Sequence, residues 1–177
     1  MTFVDLTDLT SLDAAFRPTT RAVFFEVFTN PLLDVLDIET IVAITHDHDA
    51  LAVVDNTFAT PVLIRPLELG ADIVIHSATK YLAGHGRVLA GALAGGGPAM
   101  DAIAVMRRRL GTITTPHNAA AVIEGMSTLE LRVDRASATA DGWPPLRRDA
   151  LVRTAQAGAQ GRSLRRFHAI HQGHQPR

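Results

Sequence analysis

The 17 basic residues of this 177-residue chain comprise 16 arginines and one lysine, Lys80. A guanidinium stays protonated and is a poor nucleophile, whereas an amine can lose its proton and condense with a carbonyl. Coding drift that exchanges lysine for arginine wherever only charge matters would spare a lysine whose amine is needed, so Lys80 is a candidate for amine chemistry. Other polar residues recur at comparable places. Asn30 follows the apolar run 21–28, Asp55 follows the run 51–54, and Ser77, Thr79 and Lys80 follow the run 72–75. Asn30, Asp55 and Lys80 stand at intervals of 25 residues, about the length of one strand-helix unit. Ligands of open α/β sheets bind beyond the carboxyl ends of the strands. Neighbouring strand ends would therefore bring an amine, a carboxylate and two hydroxyls into one pocket.

The elements that must position these groups are short. Residues 21–28 are apolar and aromatic and end at Thr29-Asn30-Pro31, a strand followed by a turn. Asp37 precedes Ile38, Ile41, Val42 and Ile44, which predicts a capped amphipathic helix fraying into His46-Asp47-His48-Asp49. Residues 51–54 form a continuous apolar run, the pattern of a strand covered on both faces. A short helical turn over 65–69 closes at Gly70, and 72–75 make a second buried strand. After the turn residues Gly84, His85 and Gly86, residues 88–93 predict a further strand leading to Gly95-Gly96-Gly97. Pro98 opens a helix to Leu110, and a second helix is expected from Pro116 to about Ala138. Strands alternating with helices argue for an α/β domain with a mainly parallel sheet. The expected organisation is a domain over 1–140 and a tail over 141–177. Gly142-Trp143-Pro144-Pro145 breaks the helical pattern, and seven arginines face two acids in a stretch expected to be poorly ordered.

Composition narrows the classes of function. A hydrophobic fraction of 47% with 20% charged residues is that of a globular, soluble chain. The net charge of −1 gives no global attraction to nucleic acid or to an anionic membrane, and no apolar run approaches the length of a span. There is no cysteine, which excludes disulfides and thiolate metal sites and suits a cytoplasmic protein. His46-Asp47-His48-Asp49 invites a metal reading, but residues two apart on a helix do not share a face. A solvated helix end is the expectation, with no metal. Arg107-Arg108-Arg109 fits the end of a helix, where cations oppose the macrodipole. Gly95-Gly96-Gly97 lacks the Lys-Ser/Thr of a phosphate-binding P-loop.

The residue types at the strand ends match the needs of a pyridoxal 5′-phosphate (PLP) site. A lysine amine joins the cofactor aldehyde, a carboxylate keeps the pyridine nitrogen protonated, and hydroxyls with backbone N–H groups bind the phosphate. Lys80, Asp55 and the Ser77/Thr79 pair fill those roles in turn. The competing structural reading is that Asp55 only caps a turn and that Ser77 and Thr79 only cap a helix that follows them.

Three stretches then make a specific match. These are Val53-Val54-Asp55-Asn56-Thr57-Phe58-Ala59-Thr60-Pro61, Arg65-Pro66-Leu67-Glu68-Leu69-Gly70-Ala71-Asp72-Ile73-Val74, and His76-Ser77-Ala78-Thr79-Lys80-Tyr81-Leu82-Ala83-Gly84-His85. Together they resemble the signature region of the Cys/Met-metabolism (transsulfuration) PLP enzymes: cystathionine γ-synthase, cystathionine β- and γ-lyases, methionine γ-lyase and homoserine-ester sulfhydrylases. Gly84-His85-Gly86 with Ala90-Gly91 is closer to the methionine γ-lyase version of the motif.

The resemblance implies a three-layer α/β/α PLP-transferase (fold type I, aspartate aminotransferase-like) large domain, incomplete at both ends. It implies Lys80 as the Schiff-base lysine, Asp55 as the pyridinium partner, and Ser77 and Thr79 as phosphate ligands. Asn30 would lie against the phenolic oxygen and the substrate carboxylate, and Thr57 would line the pocket. The implied activity is carbon–sulfur lyase or transferase chemistry, by γ-elimination or γ-replacement on methionine, cystathionine or homoserine esters, in a homotetramer built from dimers. Departures accompany the likeness. Val27-Phe28 replaces the usual Thr/Ser-Pro after the strand glutamate, Arg87 replaces an aspartate, and family members are about twice as long. The alternative expectation is therefore a catalytically inactive fragment whose tail after about Ala140 is read out of frame.

Overall fold

The computed structural model describes residues 1–30 and 34–141. Helix α1 (Leu9–Ala15) begins at Asp8, whose carboxylate accepts a hydrogen bond from the Thr10 amide. Strand β1 (Ala22–Glu26) leads to α2 (Ile38–Asp47), which Asp37 caps by accepting from the Thr40 amide. Both caps satisfy amides that a helix start leaves without partners. Strand β2 (Leu51–Asp55), the short α3 (Thr60–Leu63) and a 3₁₀ turn (Pro66–Leu69) follow. The turn ends at Gly70, whose φ of 92° is left-handed and cheap only for glycine. Strands β3 (Ile73–Ser77) and β4 (Gly91–Gly95) precede helices α4 (Gly97–Leu110), α5 (Pro116–Met126) and α6 (Leu129–Asp141).

The described strands form one sheet in the order β1-β2-β3-β4, parallel through β3 and antiparallel at β4. Register places Glu26 beside Asp55, Asp55 beside Ile75, and Ser77 beside Gly91. The carboxyl ends of β1, β2 and β3 thus lie together, as the α/β reading requires.

The main core lies between α2 and one sheet face. Ile38, Ile41 and Val42 of the helix join Phe25, Ala52, Val54 and Val74 of the strands. A second cluster of Ala78, Leu82, Leu129 and Val133 packs α6 under the segment that carries Lys80.

Four expectations need correction. Strand β2 is not covered on both faces, because Ala52 and Val54 are buried while Leu51, Val53 and Asp55 are only partly so. The last strand begins at Gly91, not at residue 88, since Thr79 already holds the Ala90 backbone. The helix expected over 116–138 is two helices. Its joint is stabilised locally, with Ser127 Oγ donating to the Glu124 carbonyl and Thr128 Oγ1 to the Gly125 carbonyl. Such side-chain bonds to the preceding turn compete with helix continuation. The helix capped by Asp37 also stays regular through Asp47, so that only His48 and Asp49 of the expected frayed end leave it, and both histidines of the run are engaged. His46 Nε2 lies 2.9 Å from Asp72 Oδ2, and His48 Nε2 lies 2.7 Å from Asp13 Oδ1.

Residues 142–177, where the poorly ordered tail was expected, lie outside the described residues. No helix among the described residues is long and apolar enough to cross a membrane.

Ile41 is fully buried at the centre of the core, whereas Leu131 is 72% exposed. Ile41→Ala is expected to cost about 2–5 kcal/mol in urea unfolding, and Leu131→Ala at most about 0.5 kcal/mol. Equal costs for the two would show that α2 does not anchor the fold.

Candidate active site

Glu26, Asn30, Asp55, Thr57, Ser77 and Lys80 line one pocket at the carboxyl ends of the parallel strands, with Val27, Phe28 and Phe58 as its apolar wall. Strand alternation sends Glu26, Asp55 and Ser77 to the same sheet face. His76, between Ile75 and Ser77, turns to the opposite face and is 7% exposed. Burial lowers its pKa, so the imidazole is held neutral.

The loop after β2 is organised by its own polar atoms. The Thr57 amide donates to Asp55 Oδ1 at 2.8 Å, fixing the carboxylate at the strand end. Thr57 Oγ1 accepts from the Ser77 amide at 2.8 Å, which ties the ends of β2 and β3 together. Asn56, fully buried, donates through Nδ2 to the Ile64 carbonyl at 2.9 Å. Thr60 closes the loop at φ 60°, a left-handed backbone that is strained for a β-branched residue.

Lys80 stands on the turn after β3, with its amide donating to the Ser77 carbonyl at 3.1 Å. Its ammonium lies 4.9 Å from the centroid of the Phe58 ring, within the range of cation–π attraction. Among the described residues it makes no hydrogen bond or salt bridge, so the amine is uncommitted.

Five of the six predicted residues meet in this pocket: Asn30, Asp55, Thr57, Ser77 and Lys80. Thr79 does not. Its hydroxyl donates to the Ala90 carbonyl at 3.2 Å and accepts from the Ala90 amide at 3.0 Å. A hydroxyl has one proton to donate, and Thr79 spends it on the segment leading into β4. The Ser77 hydroxyl, by contrast, has no hydrogen bond among the described residues.

Glu26 is the pocket residue that the reading by spacing passed over, treating it only as a landmark of the first strand. The available signal was a lone acid inside an otherwise apolar run. Its Oε2 is buried without a hydrogen-bond partner among the described residues. Burial raises its pKa above the usual 4.5, Asp55 adds to the rise, and the Lys80 ammonium opposes it. Desolvation and a second carboxyl at the same strand register outweigh the nearby ammonium, so Glu26 favours retaining a proton.

With this geometry in place, the likenesses to known proteins are specific. The family described as "Cys/Met metabolism PLP-dependent enzyme" matches residues 1–142. The chain belongs to this family. It is 47% identical over 139 residues to L-methionine gamma-lyase of Pseudomonas putida, covering 77% of this chain and 35% of that protein. It is 49% identical over 138 residues to cystathionine beta-lyase of Lactococcus lactis subsp. cremoris, covering 77% and 36%.

The solved structure of cystathionine gamma-lyase from Lactobacillus plantarum complexed with L-serine superimposes with a TM-score of 0.77 at 34% identity. That match covers 89% of this chain and 45% of the other. The chain therefore has the α/β fold of this PLP-dependent family and spans about a third of the length of the curated relatives it matches.

The residues present fit the family's cofactor. An amine, an oriented carboxylate and a hydroxyl face one pocket, and a buried carboxyl oxygen there has no hydrogen-bond partner among the described residues.

Because its folded-state pKa is raised, Glu26 contributes stability while protonated, and that contribution fades as pH rises through the raised value. Glu26→Gln stays neutral and is expected to flatten the fall in Tm between pH 4.5 and neutrality. A variant whose Tm tracks the wild type across that window would show that Glu26 does not hold a proton in the folded chain.

Proposed function

We propose that this chain holds PLP through Lys80 and forms part of a carbon–sulfur lyase or transferase of sulfur amino-acid metabolism. The observation that carries the reading is the meeting of the chain's single lysine with Asp55 in one pocket at the strand ends, in a family defined by PLP. When bound, PLP supplies an aldehyde that condenses with amines and a pyridine ring that accepts electron density from the reacting carbon.

In this reading the Lys80 amine takes the substrate's α-proton and serves the β-carbon, so that the γ-substituent departs or is exchanged. Asp55, oriented by the Thr57 amide, holds the proton of the ring nitrogen. The Ser77 hydroxyl donates to the phosphate. Thr79 would join it only by releasing its donor bond to the Ala90 carbonyl. Asn30 serves the phenolic oxygen and the substrate carboxylate, and Thr57 keeps the ends of β2 and β3 at a fixed separation.

The proposed substrates are methionine, cystathionine or homoserine esters. Support comes from relatives named methionine gamma-lyase, cystathionine beta-lyase, cystathionine gamma-synthase and O-succinylhomoserine sulfhydrylase. An assembly of several copies, a dimer of dimers, belongs to the same reading. Exposed Ile123, Met126 and Leu131 on α5 and α6 offer apolar surface for it. A cytoplasmic setting is proposed as well, and a chain without cysteine suits a reducing compartment.

Incubation with PLP is expected to give an absorbance band between the near ultraviolet and the blue that Lys80→Ala abolishes. Asp55→Asn is expected to keep the covalent attachment but to weaken cofactor retention about tenfold or more, the cost of losing a hydrogen bond to a charged group. No band from the wild-type chain at saturating PLP would favour the alternative of an inactive fragment.

A further inference from the structure

The Lys80 side chain has a flexible four-carbon stem and, among the described residues, no hydrogen bond or ion pair to steer it. Apart from the Phe58 ring, its direction depends on the backbone of the turn that carries it. That turn is closed by Ala83 N–H donating to the Ala78 carbonyl at 2.9 Å and by Gly84 N–H donating to the Lys80 carbonyl at 2.8 Å.

A single guanidinium from α6 holds the turn from outside. Arg132 Nη1 donates to the Tyr81 carbonyl at 2.8 Å, Nη2 to the Gly125 carbonyl at 2.7 Å, and Nε to Thr128 Oγ1 at 3.1 Å. It therefore joins three segments: the Lys80 turn, the end of α5 and the α5–α6 joint.

Two glycines make the approach possible. Gly84 has φ 75°, and a Cβ there would stand 2.5 Å from Arg132 Cζ and 2.7 Å from Nη1. A Cβ on Gly125 would run into the Ala83 carbonyl. The planar guanidinium thus packs directly against the backbone of Gly84, with all three of its nitrogens donating. The break between α5 and α6 creates the Thr128 hydroxyl contact, while Leu129 and Val133 seat α6 against Ala78 and Leu82.

We propose that Arg132 is a positioning residue for the Lys80 amine: by locking the carbonyl that follows Lys80 to α5 and α6, it fixes where that amine enters the pocket. The inference rests on the reading of Lys80 as the residue that joins PLP. A bulk structural role would weaken every ligand alike. A positioning role separates attachment at Lys80 from binding of the phosphate, because the Ser77 end of the site is held independently through Thr57.

The test compares the full chain with Arg132→Met and Arg132→Lys by three measurements. The first is amide hydrogen exchange at Ala83 and Gly84 without cofactor. The second is the rate of borohydride-trapped PLP at Lys80, located by mass spectrometry. The third is the affinity for pyridoxine 5′-phosphate, which carries the phosphate but no aldehyde.

Arg132→Met is expected to speed exchange at Gly84 and to slow trapping at Lys80, each by about tenfold or more, as for the loss of one charged hydrogen bond. Pyridoxine 5′-phosphate affinity should stay within about twofold, less than such a bond is worth. Arg132→Lys, with one ammonium in place of the fork, should recover only part of the trapping rate, and it carries the same comparison if Arg132→Met does not fold. Unchanged exchange would overturn the proposal, and so would trapping and pyridoxine 5′-phosphate affinity falling together. If the wild-type chain forms no Lys80 adduct while Arg132→Met still speeds exchange at Gly84, the clamp on the turn stands and the PLP reading of the site fails.

Discussion

The parallel register of β1, β2 and β3 is the constraint on which the rest of the site depends. It sets Glu26 beside Asp55 and brings the end of β3 to the same rim, so that two carboxyls and an amine share one pocket. Each group alone would be an ordinary surface residue. Together, in partly buried surroundings, they act on Glu26. Desolvation, with Asp55 adding to it, pushes Glu26 toward its neutral form while the Lys80 ammonium pulls against them. A slip of one residue in either strand would turn these side chains to the opposite face.

Register alone does not aim the side chains, and short polar links do that. Thr57 acts in both directions, its amide on Asp55 and its hydroxyl on the Ser77 amide, so one residue sets the carboxylate and the distance between two strand ends. Thr79 secures the approach to β4, and Arg132 secures the turn from the far side. The core beneath is apolar and unexceptional, with Ile41 and Val54 fully buried, and it supplies the rigidity that these links presuppose.

Much of the fold was legible in the chain. The run at 21–28 contains β1, those at 51–54 and 72–75 mark β2 and β3, which extend on to Asp55 and Ser77, and Asp37 caps the helix that follows it. Five of the six residues singled out for chemistry line one pocket. Where the structure departs from the apolar pattern, side-chain hydrogen bonds that the pattern does not register decide the outcome. The break between α5 and α6 is one case, since the pattern of apolar residues continues through it while side-chain hydroxyls divert the backbone. The Thr79 hydroxyl, expected at the phosphate, donates here to a carbonyl eleven residues on, a contact that residue type and spacing do not record.

The sequence by itself determined which residues could do covalent chemistry. A lone lysine after an apolar run, preceded by an aspartate at a strand-helix interval, is a statement about residue types and local propensity, and both are written in the chain. Only the tertiary structure decided which groups share a charge environment and which hold the others still. Glu26 meets Asp55 through a strand register, and Arg132 meets the Tyr81 carbonyl across 51 positions of chain. Such pairings form because burying apolar faces brings distant backbones within hydrogen-bond reach, and no spacing along the chain records that distance.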